Sequence, residues 1–147
     1  MDRGLAVLLT AIGGALIALQ APINSRLGAA AGTIQGVLVT FVIGTVVLTG
    51  LAAVAKGGLA QIGEARGLSW YWFTGGLLGA AYVATVLVTV RTLGATGVTA
   101  ATIAAQLAMS VAVDQFGWLG IARSPLTAGK VVGIVLLGLG VWLIVRD

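Results

Sequence analysis

The 147-residue chain has no cysteine and no histidine. Without thiols there are no disulfides and no thiolate metal sites. Without imidazole there is no histidine ligand and no side chain whose unperturbed pKa lies near neutrality. Charge is scarce as well: 8% of residues are charged, against about a quarter in an ordinary soluble domain. Serines are few, and none stands near a plausible base and orienting acid. These absences argue against an enzyme, and neither a cofactor nor a metal site is expected.

What fills the chain instead is apolar: 59% of residues are hydrophobic and the mean hydropathy is +1.12. This is the composition of an integral membrane protein, and the length leaves no room for a soluble domain beside the spans. The net charge of +4 comes from 8 Lys and Arg against 4 Asp and Glu. In so lipophilic a chain the cations anchor helix ends among anionic headgroups, and no cluster suits nucleic acid. The N-terminus resembles a signal peptide, but its apolar run is long and meets Gln20-Ala21-Pro22, not a small-residue cleavage site. It reads as a retained first span.

Hydrophobic runs place five transmembrane helices, at approximately 4–29, 34–55, 69–90, 96–118 and 127–145, in a single transmembrane domain. Pro22 is expected to kink the first span or end its regular part, since it lacks an N–H and crowds the carbonyl four residues back. Gln20 and Asn24 flank it on one face; they either satisfy backbone groups freed by the proline or line a substrate path. In the second span Gly36, Thr40 and Gly44 share a face that permits close helix contact. Its other polar residues diverge, so the span reads as scaffold. Trp70, Tyr71 and Trp72 read first as an aromatic belt at the membrane boundary and second as a ligand-stacking surface. Leu93-Gly94-Ala95 lies in a tight turn. Ser124-Pro125 reads as the cap and first-turn proline of the last helix. In that helix Gly129, Gly133 and Gly140 fall within about 40° of arc, a packing face that also suits contact between subunits.

Two polar stripes carry the functional argument. At roughly 100° per residue, Thr99, Thr102, Gln106 and Ser110 fall within about 80° of the fourth helix, with Asp114 about 40° beyond. Thr74, Tyr82, Thr85 and Thr89 fall within a similar arc of the third. Threonine can bond back to its own helix, but a phenol near mid-span wants a partner. Hydrocarbon offers these groups none, so both stripes should face protein or water. Gln106, Ser110, Thr102, Tyr82, Gln20 and Asn24 are the candidate substrate contacts. Asp114 is either hydrated or paired with a cation such as Arg123, or it is the acid that couples transport.

Five crossings put the termini on opposite sides. One side then holds Arg3, Lys56, Arg66, Arg123 and Lys130, the other Arg26, Arg91 and Arg146. So small a bias permits insertion in both orientations. Many secondary transporters consist of two inverted repeats with the site between them. Five spans with polar stripes fit one such half, which two antiparallel copies would complete.

The stretches Gln20-Ala21-Pro22-Ile23-Asn24-Ser25-Arg26-Leu27-Gly28, Leu93-Gly94-Ala95 and Gln106…Ser110…Asp114-Gln115-Phe116-Gly117 resemble the drug/metabolite transporter superfamily, in particular its small five-helix branch. The resemblance spans nearly the whole chain. It implies a multi-pass protein of the bacterial inner membrane, acting as an antiparallel homodimer or as a heterodimer with an inverted paralogue, with exporter activity. Related four-helix multidrug exporters couple protons through a glutamate in their first helix. No acid stands in the first span here, so that coupling does not carry over.

The expected protein is thus an all-α membrane transporter of a small polar neutral or zwitterionic metabolite, working by alternating access. A dimeric channel and a structural or accessory membrane subunit are the alternatives. Against the channel, no filter-like run of carbonyls and no ring of charge is visible.

Overall fold

The computed structural model describes residues 2–146. Among them there are helices and turns and no strand: α1 (Arg3–Ala31), α2 (Thr33–Val54), α3 (Thr74–Phe116) and α4 (Ala128–Val145). Short 3₁₀ turns at Gly58–Gly67 and Trp70–Phe73 fill the longest connection. The Trp70, Tyr71 and Trp72 rings are exposed there ahead of α3, the first pair T-shaped at 6.3 Å and the second tilted at 5.1 Å between centroids.

Four stretches are long and apolar enough to cross a membrane, and one of them, Trp70–Phe116, has 47 residues. At about 1.5 Å per residue that is about 70 Å, roughly twice a bilayer core. It is not one rod. Gly94 sits at φ 67°, ψ 172°, a backbone conformation essentially confined to glycine. The break divides α3 into 74–93 and 95–116, at the turn the Leu93-Gly94-Ala95 triplet marks in the sequence. Helix therefore covers the bulk of each of the five expected segments.

Two local expectations are corrected. Pro22 does not end the first helix: α1 continues through it to Ala31. A proline removes one N–H from the ladder, and the long apolar helix on either side keeps the rest. The last helix is capped by Thr127, whose Oγ1 accepts from the Lys130 N–H at 3.3 Å. Ser124 and Pro125 precede the helix; Ser124 is drawn instead to the Lys130 ammonium, at 2.9 Å from its Oγ.

The chain packs as two units, the first up to Val88 and the second from Thr89. In the first, α1 and α2 form an antiparallel pair whose closest approach is at Gly28 and Gly36, both buried. A Cβ added to Gly36 would lie 2.8 Å from the Gly28 Cα and 3.4 Å from Leu87 Cδ2. Only a missing side chain allows backbones so near one another. Val37, Val83 and the fully buried Leu87 make the small core, with Tyr82 and Ala84 packed on it.

In the second unit α4 runs back along 95–116. Lys130 stands beside Asp114 at one end, and a Cβ on Gly97 would lie 3.7 Å from Val145 at the other. No residue of α4 is buried. Large apolar side chains are exposed throughout, among them Leu16, Leu19, Val46 and Leu136. In water this would be untenable, whereas acyl chains are as apolar as leucine.

The close approach is directly testable. Gly36→Ala is expected to destabilise the protein by about 1–3 kcal/mol, because the new methyl meets backbone that cannot rotate away. Gly44 is a helical glycine with nothing within 4 Å of its would-be Cβ, so Gly44→Ala should be neutral or stabilise by up to about 1 kcal/mol. Thermal unfolding of both variants in detergent separates them; equal midpoints would contradict the packing.

Candidate functional site

The candidate residues fall into two groups, one in each unit. In the first, Gln20, Asn24 and Tyr82 line one crevice with Ile17, Ala21, Val83 and Val86. The α-helical repeat explains the set: Gln20 and Asn24 are one turn apart on α1, and Tyr82, Val83 and Val86 share a face of α3. The crevice holds about 10 Å³, enough for roughly one water. No charged side chain lines it.

Asn24 is 6% exposed, the one buried polar residue among those described. Its Oδ1 lies 3.1 Å from Thr40 Oγ1 of α2, within hydrogen-bond reach, and the Gly36 carbonyl at 3.0 Å shares the single proton of that hydroxyl. A buried amide without a partner would cost about 1–3 kcal/mol, so this bond is what allows Asn24 to sit there. Asn24 stands one turn before Gly28 and Thr40 one turn after Gly36. An antiparallel pair that meets at its glycines therefore meets again at these two polar groups. Gln20 is exposed and Tyr82 half-buried.

The second group, Thr102, Gln106, Ser110 and Asp114, stands on the helix over 95–116. Thr102 is half-buried; Gln106 and Ser110 are exposed. Asp114 closes the stripe, and its Oδ2 lies 3.7 Å from Lys130 Nζ, so its partner is Lys130 and not Arg123. Around this pair the end of α3 is tied to the chain that follows. The Ser124 N–H donates to the Asp114 carbonyl at 2.9 Å and the Leu126 N–H to Gln115 Oε1 at 2.6 Å. Arg123 Nε donates to the Gln115 carbonyl at 3.3 Å, and Lys130 Nζ to the Ser124 carbonyl at 3.2 Å. Orphan carbonyls at a helix C-terminus attract such donors and cations.

The packing glycines divide similarly. Gly36 is used within the chain, whereas Gly44, Gly133 and Gly140 have nothing within 4 Å of a would-be Cβ, and Gly129 only the Thr127 hydroxyl at 3.9 Å.

Sequence reasoning missed Thr40, which it placed in scaffold. The available signal was its place on the Gly36–Gly44 face, one turn from the glycine that brings α1 near. It missed Lys130 and Gln115 for another reason: each stands at a helix end, and the loop between α3 and α4 brings their partners Ser124 and Leu126 to them, which no periodicity describes.

Long apolar helices with large apolar side chains exposed along them define a multi-pass membrane protein. The family model described as "Putative inner membrane exporter, YdcZ" matches residues 5–143. The chain belongs to that family, and with it to the membrane transporters of exporter type, located in the inner membrane. No curated protein and no solved structure matches the chain.

The Asp114–Lys130 pair has side chains 39% and 26% exposed, so solvent screening limits its worth. A double-mutant cycle with Asp114→Asn and Lys130→Gln is expected to give a coupling of about 0.5–1 kcal/mol in unfolding experiments. Additive effects would mean that the two charges do not interact.

Proposed function

We propose that the chain exports a small polar, neutral or zwitterionic solute by alternating access, as an antiparallel homodimer. The observation that carries this reading is the uncharged crevice at Gln20, Asn24 and Tyr82. An amide pair and a phenol recognise hydrogen-bonding solutes, and with no carboxylate beside them they do not favour a hydrophobic cation. Gln106, Ser110 and Thr102 are proposed as further polar contacts of the solute.

Two facts support a second copy. Gln20, Gln106 and Ser110 are exposed along apolar helices, where lipid cannot bond them. The Gly129, Gly133 and Gly140 face of α4 is open, and small residues at helical spacing permit close contact with another helix. The near-balanced distribution of cations supports opposite orientations. A sister chain of inverted orientation would meet the same needs. Asp114 is engaged by Lys130, so coupling through it requires that pair to open.

Efflux from proteoliposomes loaded with a panel of labelled neutral and zwitterionic metabolites is the test. Asn24→Ala and Gln106→Ala are expected to lower export at least tenfold, equivalent to about 1.4 kcal/mol, while Asp114→Asn keeps most of it. Full export in both alanine variants would remove the site assignment. Terminal cysteine tags should be reached from both faces of the membrane; one fixed orientation for every copy would rule out the antiparallel homodimer.

A further inference from the structure

We propose that the crevice between α1 and the first half of α3 holds one water molecule, bonded jointly by Gln20, Asn24 and Tyr82. The inference goes beyond the exporter reading and stands without it, since it rests on the geometry of the first unit alone.

Asn24 carries the argument. Its amide has two polar ends, and one of them meets Thr40 at 3.1 Å. The residue is 6% exposed, so the other end lies in the interior. No described side-chain nitrogen or oxygen is both fully buried and without a partner, which means that this end borders open space. That space is the crevice, which Asn24 lines together with Gln20 and Tyr82. Among the described residues, neither the Gln20 amide nor the Tyr82 hydroxyl has a hydrogen-bond partner. The remaining walls, Ile17, Ala21, Val83 and Val86, have only apolar side chains, and lipid offers no hydrogen bond either.

The size of the space selects the ligand. About 10 Å³ admits one water and nothing larger. A buried water takes about two to four polar partners, and the crevice provides three, Gln20, Asn24 and Tyr82. Water also suits them whichever way they are turned, because it donates and accepts, and so can the amides and the phenol. The ligand is therefore the same whether the Thr40 proton goes to Asn24 or to the Gly36 carbonyl at 3.0 Å.

The consequence is mechanical. Asn24 already joins α1 to α2 through Thr40. A water shared by Gln20, Asn24 and Tyr82 joins α1 to α3 at the same level, so one amide links all three helices of the unit. Any solute group that reaches the crevice has to take the place of that water.

Asn24 is the only asparagine in the chain, so ¹⁵N-asparagine labels one side-chain amide, which NMR follows in nanodiscs. A water bound beside it gives an amide–water cross-peak that changes sign between the laboratory and the rotating frame, whereas proton exchange gives one that does not. The sign-changing cross-peak is expected in the wild type. Gln20→Met and Tyr82→Phe each leave two partners, about the fewest that hold a buried water, and should weaken it about twofold or more. The double variant leaves one partner and should abolish it. A wild-type spectrum without the cross-peak overturns the proposal. So does a cross-peak that keeps full strength in either single variant: it then comes from a hydroxyl proton or from a water held elsewhere. If the double variant fails to fold, the wild type and the single variants decide. The readout needs no transport. A protein that shows the water yet exports nothing contradicts the exporter reading alone, and one that exports without it contradicts this proposal alone.

Discussion

A polar side chain inside a bilayer must find its partner in protein or in trapped water, because the hydrocarbon has none to give. Most of this structure can be read as the ways one short chain meets that demand. Asn24 is the sharpest case. It is buried between helices, and its amide meets Thr40 across the α1–α2 contact. The contact exists because Gly28 and Gly36 let the two backbones approach. Remove the approach and the amide loses its partner; remove the amide and the crevice loses its fixed polar group.

The two units meet the demand differently. The first brings polar groups of separate helices to one crevice above a core of only Val37, Val83 and Leu87. The second gathers three charges, Asp114, Arg123 and Lys130, at one end of a hairpin, where they, Ser124 and Gln115 bond one another and the carbonyls that end α3. Charges placed there lie next to a helix terminus and a loop, where they are cheapest to keep. Further along that helix, Gln106 and Ser110 remain exposed. Hydrocarbon offers neither of them a hydrogen-bond partner.

Much of this was legible in the residues, and the part that was not has a physical reason. Apolar runs of bilayer length fix the helices, and Gly94 marks the break in α3 because its backbone conformation excludes side chains. Gln20, Asn24 and Tyr82 were each visible as polar groups on apolar faces. That they share a crevice depends on the register between α1 and α3, which no single helix encodes. Thr40 was assigned to scaffold because rotation arithmetic treats one helix at a time, whereas its partner lies on another. Pro22 was expected to kink α1 or end its regular part, and α1 continues through it to Ala31, since a long apolar helix tolerates one missing N–H. Ser124 was read as a cap on composition alone; the chain gave that role to Thr127 and used Ser124 to hold Lys130.

The central claim is that these polar faces border water and not lipid. The chain has no cysteine, so single substitutions report without background, and a thiol reacts with a charged maleimide only where water lets it ionise. Gln20→Cys and Gln106→Cys in intact membranes should label rapidly, while Leu19→Cys and Leu38→Cys, on exposed apolar positions of α1 and α2, should remain unlabelled. Labelling at Gln20 and Gln106 as slow as at the two leucine positions would contradict the account.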